Sequence, residues 1–327
     1  MVVAVAVLDA DGSSRLPERL IESLRREFPH HEFLPAHRRE DLHDVLPRAE
    51  IAFASTVPKD LLPVLTGLRW VHAPAAGVAH LLIPEFVASP IVLTNSRGVS
   101  ARPIAEHVMA VTLALAKQLH VAARRQADHL WAFNEIFDSG RSLTLRGCNM
   151  GIVGLGSIGR EVALLASAFG MHVAGTRRRQ DQPLPPGVER ALPPGQLHDL
   201  LRWSDVVVVA TPVTAATEGL IDAAAIDAMQ PHAMLVNVGR GKLVEDGPMI
   251  AALRAGRIRG AALDVFTKEP LPADSPYWDL PNIIVTPHVS SAEEDYWSAV
   301  VALFAENLRR FERGDALLNV VDKQAGY

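Results

Sequence analysis

The clearest candidate for chemistry is a glycine-rich turn near the middle of the chain. The hexapeptide GLGSIG matches the pattern G-x-G-x-x-G, and it stands between an apolar strand and a helical segment. In that setting Gly154 permits a tight turn, Gly156 lets a pyrophosphate approach the backbone, and Gly159 lets the helix pack closely on the strand. The N–H groups of Ser157 and Ile158 would face the phosphates. The pattern predicts a dinucleotide site, and the alternative is a glycine-rich turn that binds no ligand.

A basic segment follows the next predicted strand, at the position where enzymes that prefer NAD carry an acidic residue for the ribose. The strand ends at Thr176 and runs into Arg177, Arg178 and Arg179. Guanidinium groups bind a 2′-phosphate with two hydrogen bonds, whereas a carboxylate would repel it. We therefore expect NADP(H) to be preferred, with NAD(H) as the other option. The alternative is a solvated surface loop.

Three polar residues follow the ends of later apolar strands. Arg240 lies between two glycines, Glu269 precedes a proline, and His288 follows one. Ligands of open parallel sheets bind near the carboxyl ends of the strands, so these residues are candidates for catalysis. Because Arg240 stands between glycines, its guanidinium can turn towards a carboxylate. The alternatives are an ion-pair partner, a surface turn and a hydrogen-bonded histidine at a domain junction.

The composition places these segments in a globular protein. The chain has 327 residues, of which 49% are hydrophobic, so it can bury a large core and form two domains. Its net charge of −5 argues against a nucleic-acid or acidic-membrane surface. Cys148 is the one cysteine, which excludes an intrachain disulfide, and the histidines show no spacing typical of metal ligands. We expect a cytoplasmic protein that binds small molecules, with no nucleic-acid, membrane or metal partner.

Apolar runs alternate with amphipathic segments along the chain, which is typical of parallel α/β sheets. The proline-rich segment 182–195 is predicted to be a surface loop, and Ser100 is predicted to cap a long helix. The predicted helices that matter here cover 15–28, 104–119, 158–169 and 292–311.

Together with the segments NVGRG, DVF followed by EPL, and TPH, the turn GLGSIGR resembles the D-isomer-specific 2-hydroxyacid dehydrogenase family. The resemblance covers essentially the whole chain. It implies two Rossmann-like, doubly wound parallel-sheet domains of the α/β class. A dinucleotide-binding domain over 100–289 would be inserted into a smaller, flavodoxin-like substrate domain formed by 1–99 and 290–327.

The resemblance also implies a reaction, the reduction of a small 2-keto acid to the D-2-hydroxy acid by hydride transfer from NADPH. His288 would be the general acid, and Glu269 would bond the other ring nitrogen. Arg240 would grip the substrate carboxylate and polarise the ketone. The arginines after Thr176 resemble the glyoxylate/hydroxypyruvate reductase branch of the family.

Further positions match the family's binding residues. They are the substrate-carboxylate loop at Ala76, Gly77 and Val78, the nicotinamide contact at Asp264, and the adenosine-side turn at Thr211 and Pro212. The acid that often follows the substrate loop is replaced by Ala79, which leaves the substrate side chain open. The resemblance further implies a homodimer, and Trp131 and Phe133 match a segment that reaches across the dimer interface in such relatives. The alternative for these two residues is an ordinary core or interface role.

Two groups of competing functions stay open at this point. Within the same fold, NAD(H)-linked enzymes include other D-2-hydroxyacid dehydrogenases, phosphite dehydrogenases and formate dehydrogenases, the last of which carry glutamine at the position of Glu269. Outside catalysis, a dinucleotide-sensing binding protein could keep the same arginine, glutamate and histidine. Turnover of a small 2-keto acid would separate an enzyme from such a sensor.

Overall fold

The computed structural model describes residues 1–9 and 16–326, and these divide into two compact units. One unit consists of Met1–Val99 together with Glu293–Tyr327, and the other is the continuous segment Ser100–Ala292. We call them the outer unit and the inserted unit, after their order along the chain.

Each unit is built on a parallel sheet. The strands in the described ranges are β1 (Val2–Ala6), β2 (Glu32–Pro35), β3 (Ile51–Ala54), β4 (Trp70–Ala73), β5 (Val92–Asn95), β6 (Asn149–Val153), β7 (His172–Thr176), β8 (Arg190–Leu192), β9 (Val206–Val209), β10 (Met234–Asn237), β11 (Gly260–Leu263) and β12 (Ile283–Val285). The helices are α1 (Glu18–Glu27), α2 (Leu42–Val45), α3 (Pro84–Ala88), α4 (Ala101–Ala116), α5 (Leu119–Ala127), α6 (Phe133–Phe137), α7 (Ser157–Ala168), α8 (Leu197–Trp203), α9 (Ala223–Ala228), α10 (Asp246–Arg254) and α11 (Tyr296–Arg313).

The two sheets have the strand orders of doubly wound folds. The outer unit has five strands in the order β2-β1-β3-β4-β5, which is the flavodoxin-like order. The inserted unit has seven strands in the order β12-β11-β10-β9-β6-β7-β8, and counted from its own first strand this is the Rossmann order with one strand added. Every pairing in both sheets is parallel. The predicted α/β class with two Rossmann-like sheets is therefore confirmed.

Helices cover both faces of each sheet, so the central strands are buried on two sides. All four valines of β9 have no exposed surface, which explains why this strand is an uninterrupted apolar run. In the inserted unit, α4 and α7 cover one face and α8, α9 and α10 cover the other. In the outer unit, α1 and α11 pack on one face and α2 and α3 on the other.

Helix boundaries differ from the predicted ones where side chains redirect the chain. The helix expected over 104–119 ends at Ala116, because Gln118 adopts a left-handed conformation with φ 54°. Its buried side-chain amide donates to the carbonyl of Ile136 and to the hydroxyl of Ser139, which anchors the turn into α5. Ser100 stands at the start of α4, but its side chain makes no capping hydrogen bond.

Other boundaries move by a few residues. The first predicted helix, 15–28, is observed as Glu18–Glu27, and residue 15 lies outside the described residues. The last helix begins at Tyr296 and ends at Arg313. Segment 182–195 is more than the surface loop expected, because it contains the edge strand β8, which pairs with β7. This strand is short and partly exposed, so it lacks the apolar run by which the other strands are found.

A polar cluster is buried beside β4 and β5 of the outer unit. His72 has no exposed surface, and its ring nitrogens lie 2.7 Å from Thr94 Oγ1 and 3.2 Å from Ser96 Oγ. The indole N–H of Trp70 donates to the same Thr94 oxygen at 2.8 Å. Burial disfavours the charged ring and lowers the pKa of His72 to about 3.

This burial predicts an acid-dependent loss of stability. Between pH 6.5 and about 3, unfolding takes up a proton at His72, so the free energy of unfolding falls as the pH falls. The slope from one such proton is at most about 1.4 kcal/mol per pH unit. Urea midpoints measured at pH 7 and pH 4.5 should therefore drop more for the wild type than for His72→Asn. His198→Asn, at an exposed histidine, should behave like the wild type. Parallel drops in the wild type and His72→Asn would contradict the prediction.

Candidate active site

The glycine-rich turn joins β6 to α7, and its three glycines meet different constraints. Gly154 has φ +105°, and a Cβ there would lie 2.9 Å from the Ala210 carbonyl oxygen. A Cβ on Gly159 would lie 2.2 Å from the Gly154 oxygen, so this residue lets α7 approach the turn. At Gly156 a Cβ would meet nothing within 4 Å, which leaves open space beside the backbone. This is the side from which a phosphate group can approach.

Thr176 holds the turn in place from the end of β7. Its hydroxyl oxygen accepts from the N–H of Gly154 at 3.1 Å, and its carbonyl accepts from Leu155 at 2.9 Å. Ser157 and Ile158 form the first turn of α7, where the helix provides no acceptors for N–H groups. A pyrophosphate fits here, because the glycines open the backbone and the N-terminus of a twelve-residue helix faces the same place.

The arginines after β7 do not act alike. The Arg177 guanidinium donates to the carbonyls of Gln182 and Pro183, the latter at 2.8 Å, and its backbone N–H bonds to β8. In this structure Arg177 therefore stabilises its own loop, whereas the sequence analysis predicted that it binds the 2′-phosphate. Arg178 and Arg179 are exposed at the surface of that loop.

The predicted adenosine-side turn follows β9, next to the glycine-rich turn. A Cβ on Gly154 would lie 3.1 Å from the Cα of Thr211, so these two backbones are in contact, and Pro212 follows directly. On the other side, a Cβ on Gly239 would lie 3.0 Å from the Thr211 carbonyl oxygen. The ends of β6, β9 and β10 are thus packed against one another along a single edge of the sheet.

Arg240 is presented by a compact turn at the end of β10. The buried Asn237 side chain accepts from the N–H of Gly239 at 3.1 Å and donates to the Arg240 carbonyl at 3.0 Å. A Cβ on Gly241 would lie 1.8 Å from the carbonyl carbon of Phe266, so only glycine fits there. The Arg240 side chain is exposed, and its guanidinium donates to the Gly239 carbonyl at 2.6 Å.

Glu269 and His288 come from loops after two neighbouring strands, β11 and β12, and they meet. Oε2 of Glu269 lies 2.8 Å from Nδ1 of His288, and Oε1 accepts from the N–H of Phe266 at 2.9 Å. Both oxygens of the carboxylate are therefore engaged, and the pair is oriented. The His288 backbone has φ 54°, a left-handed conformation that is costly for a residue with a side chain. Among the described residues, Nε2 of His288 has no hydrogen-bond partner.

The loop that carries His288 is held by a buried carboxylate. Asp264 is 1% exposed, and it accepts from the Thr286 hydroxyl at 2.6 Å and from the N–H groups of Val289 and Ser290 at 2.9 and 3.0 Å. Its carbonyl oxygen also accepts from the N–H of His288 at 2.8 Å. Burial would raise the pKa of Asp264, but the hydrogen bonds from Ser290 and Thr286 outweigh burial and lower it. Asp264 was expected to contact the nicotinamide end of the cofactor. In this structure its carboxylate binds the loop that carries His288.

One residue of this hydrogen-bond network, His107, was not predicted from the sequence. His107 of α4 places its Nε2 3.4 Å from the Thr286 hydroxyl oxygen. Burial lowers the pKa of His107, and the charge of Asp264 partly opposes that effect. Its position on an amphipathic helix carries no sign of this contact, because the partner is far away in sequence.

The remaining predicted binding residues belong to the outer unit. Ala76, Gly77 and Val78 form the loop after β4, with Ala76 exposed and Val78 buried. In the part of the chain that the structure describes, no group of three or more His, Cys, Asp or Glu residues could hold a metal ion. Within the same ranges, no helix combines the length and the apolar character that crossing a membrane requires.

Comparison with known proteins places this geometry in a family. Residues 109–290 match the model of the D-isomer specific 2-hydroxyacid dehydrogenase, NAD binding domain. The chain is 34% identical over 261 residues to a glyoxylate reductase of Korarchaeum cryptofilum, covering 79% of this chain and 77% of that protein.

Solved structures agree over nearly the whole length. A D-isomer specific 2-hydroxyacid dehydrogenase family protein from Aeromonas salmonicida superposes with a TM-score of 0.82 at 32% identity, covering 98% of this chain and 99% of that one. An NADPH-dependent glyoxylate/hydroxypyruvate reductase from Sinorhizobium meliloti, in complex with NADP and sulfate, has a TM-score of 0.79 at 28% identity and covers 100% and 99%. The chain belongs to the D-isomer-specific 2-hydroxyacid dehydrogenases, a family of NAD(P)-dependent oxidoreductases.

Proposed function

We propose that this protein reduces a small 2-keto acid, of the size of glyoxylate or hydroxypyruvate, to the D-2-hydroxy acid with NADPH. The observation that carries the proposal is the pair of Glu269 and His288, in which the carboxylate engages Nδ1 and leaves Nε2 without a partner among the described residues. The inserted unit would bind the cofactor and supply this pair. The loop of Ala76, Gly77 and Val78, which matches the family's substrate loop, would bind the carboxylate of the substrate.

The chemistry follows from the side chains. When it is bound, the reduced nicotinamide cofactor supplies a hydride ion to the carbonyl carbon of the keto acid. His288 then donates a proton from Nε2 to the carbonyl oxygen, as a general acid. Glu269 fixes the ring orientation through its contact with Nδ1, so that Nε2 is the nitrogen that meets the substrate. Arg240 would turn its guanidinium from the Gly239 carbonyl to the substrate, where it stabilises negative charge on the oxygen.

The substrate class is supported by the relatives. The protein from Korarchaeum cryptofilum carries the name glyoxylate reductase, and the enzyme from Sinorhizobium meliloti that of a glyoxylate/hydroxypyruvate reductase. Glu269 argues against formate oxidation, which releases no proton that needs a histidine–carboxylate pair. An NAD(H)-linked or phosphite-oxidising enzyme and a non-catalytic nucleotide sensor are the competing functions, and the assays below separate the NADPH-dependent keto-acid reductase from each of them.

The preference for NADPH would rest on Arg178. Arg177 is engaged with the carbonyls of Gln182 and Pro183, so its guanidinium holds the loop on which Arg178 stands. Arg178 is exposed, at the end of β7. A guanidinium there offers two parallel hydrogen bonds to a phosphate and favours it electrostatically. The solved relative with NADP bound supports the same preference.

We also propose a homodimer formed through the segment around α5 and α6. Trp131 is 93% exposed and Phe137 is 73% exposed, and Phe137 stacks on the half-exposed Phe133 with ring centroids 5.2 Å apart. Large exposed aromatic side chains in one short segment mark an interaction surface. A second copy of this chain is the proposed partner.

We expect His288→Ala to lower kcat for glyoxylate or hydroxypyruvate by about a hundredfold or more, because the general acid is lost. Turnover would be measured with both keto acids and with pyruvate, each with NADPH and with NADH. The control is His232→Ala, which removes another histidine paired with a carboxylate in the same unit, Asp205 at 2.6 Å. Near-normal turnover of a folded His288→Ala would refute the role. Absence of turnover in a wild type that binds NADPH would favour the sensor.

Removal of the Arg178 guanidinium should act on one cofactor. We expect Arg178→Ala to raise the KM for NADPH about tenfold or more and to leave the KM for NADH unchanged, since charged hydrogen bonds to the phosphate are lost. Arg254→Ala, which removes an exposed positive charge elsewhere in the inserted unit, is the control. A wild type that prefers NADH, or an equal loss for both cofactors, would sink the assignment.

The dimer is tested by sedimentation velocity at micromolar concentration. The wild type should sediment as a dimer, and Trp131→Ser combined with Phe137→Ser should shift it towards the monomer, because the apolar contact area is lost. Phe169→Ser, at an exposed aromatic residue directly after α7, should leave the dimer intact. A monomeric wild type, or a dimer unaffected by the double substitution, would exclude this interface.

A further inference from the structure

At the end of β4 and in the loop that follows it, the backbone carbonyl groups accept hydrogen bonds from other residues of the outer unit. The four consecutive carbonyls of residues 73–76 each accept a hydrogen bond from elsewhere in the unit. Ser96 donates its hydroxyl to the first at 3.1 Å and its backbone N–H to the third at 3.2 Å. The Tyr296 hydroxyl donates to the second at 3.0 Å, and the Asn95 side-chain amide donates to the fourth at 2.7 Å.

These bonds determine where the N–H groups of the loop point. In a trans peptide the N–H is directed opposite to the preceding carbonyl, and these peptides are trans. The bonds to the carbonyls of Pro74, Ala75 and Ala76 therefore aim the N–H groups of Ala75, Ala76 and Gly77 away from Tyr296, Ser96 and Asn95, which donate to those carbonyls. No residue in the described part of the chain accepts from these N–H groups. Consecutive N–H groups left open in this way form a concave site for an anion.

Ser96 is itself held by a buried chain of hydrogen bonds. Trp70 donates to Thr94, and since the Thr94 hydroxyl then needs an acceptor, it donates to Nδ1 of His72. Nε2 of His72 consequently carries the hydrogen and donates to Ser96, whose hydroxyl donates to the carbonyl of Ala73. With the donors and acceptors assigned in this way, each side chain in this series of hydrogen bonds has a partner. Because His72 stays neutral, the chain keeps this order across the ordinary pH range.

Tyr296 is the donor that is supplied from farthest away in the sequence. It is the first residue of α11, more than two hundred residues after the loop, and its ring packs edge-on against Trp297 with centroids 5.0 Å apart. Phenylalanine would keep this ring packing and remove only the hydroxyl group. That substitution therefore removes the bond to the Pro74 carbonyl.

We infer that Tyr296, Asn95 and Ser96 are positioning residues that hold the loop carbonyls so that its N–H groups form a cradle for the carboxylate of the 2-keto acid. The inference rests on the proposed function and deepens it. The cradle binds the carboxylate through backbone groups alone, so it is indifferent to the substrate side chain. The geometry of the cradle is set by residues that do not contact the substrate.

The test uses Tyr296→Phe in the full-length protein. We expect the KM for glyoxylate to rise about fivefold, with kcat and the KM for NADPH changed less than about twofold, because the loss of the neutral hydrogen bond to the Pro74 carbonyl loosens the cradle. The dissociation constant of oxamate, an unreactive carboxylate analogue, should rise by the same factor in the enzyme with NADPH bound. Asn95→Ala, which frees the carbonyl of Ala76, should act in the same direction.

Tyr277→Phe is the matched control. It also removes a tyrosine hydroxyl that makes a hydrogen bond, to Asp246 at 2.9 Å, but in the inserted unit. Its KM for glyoxylate and its oxamate affinity should equal those of the wild type. If the wild type turns over a keto acid while Tyr296→Phe and Asn95→Ala leave both values unchanged, or lower kcat and cofactor affinity together, the positioning role is overturned. If the wild type neither turns over a keto acid nor binds oxamate, the proposed function itself fails.

Discussion

The buried carboxylate of Asp264 is the constraint on which the inserted unit's candidate site depends. A charge that is 1% exposed must be compensated, and here the compensation comes from the hydroxyl of Thr286 and two backbone N–H groups just beyond His288. Those bonds fold the chain after β12 back onto the end of β11. Because they hold the residues on both sides of His288, they also sustain its left-handed backbone conformation. Glu269, from the loop after β11, then meets the ring at 2.8 Å.

The same edge of the sheet is made compact by contacts that only glycine allows. Gly154 packs on the turn after β9, Gly239 packs on Thr211, and Gly241 packs on the chain after β11. Side chains at these places would push apart loops that come from neighbouring strands. The result is that the nucleotide turn, Arg240 and the Glu269–His288 pair follow the carboxyl ends of strands that are ordered side by side in one sheet.

In both units, hydrogen bonds to neighbouring polar groups orient the groups of the candidate site. In the inserted unit, Phe266 takes one oxygen of Glu269, so the other is left for His288. In the outer unit, hydrogen bonds to the carbonyls after β4 leave the adjacent N–H groups open. At the end of β7, the Gln182 and Pro183 carbonyls take up Arg177 and hold the loop that carries Arg178. In the first two cases, hydrogen bonds within the unit determine which neighbouring atom has no other partner among the described residues.

The amino-acid sequence by itself determined the α/β class, the order of most elements and the family. Buried parallel strands are continuous apolar runs, as in β9, and a G-x-G-x-x-G pattern has one physical setting in which all three glycines are needed. It did not reveal the edge strand β8 or the break at Gln118, because a three-residue exposed strand and a side-chain-anchored turn have no local pattern. Only the tertiary structure decided the partners of Arg177, Asp264, His107 and Tyr296. Polar side chains of this kind choose their partners through space, and their partners lie in loops or helices whose position is set by the packing of the whole unit.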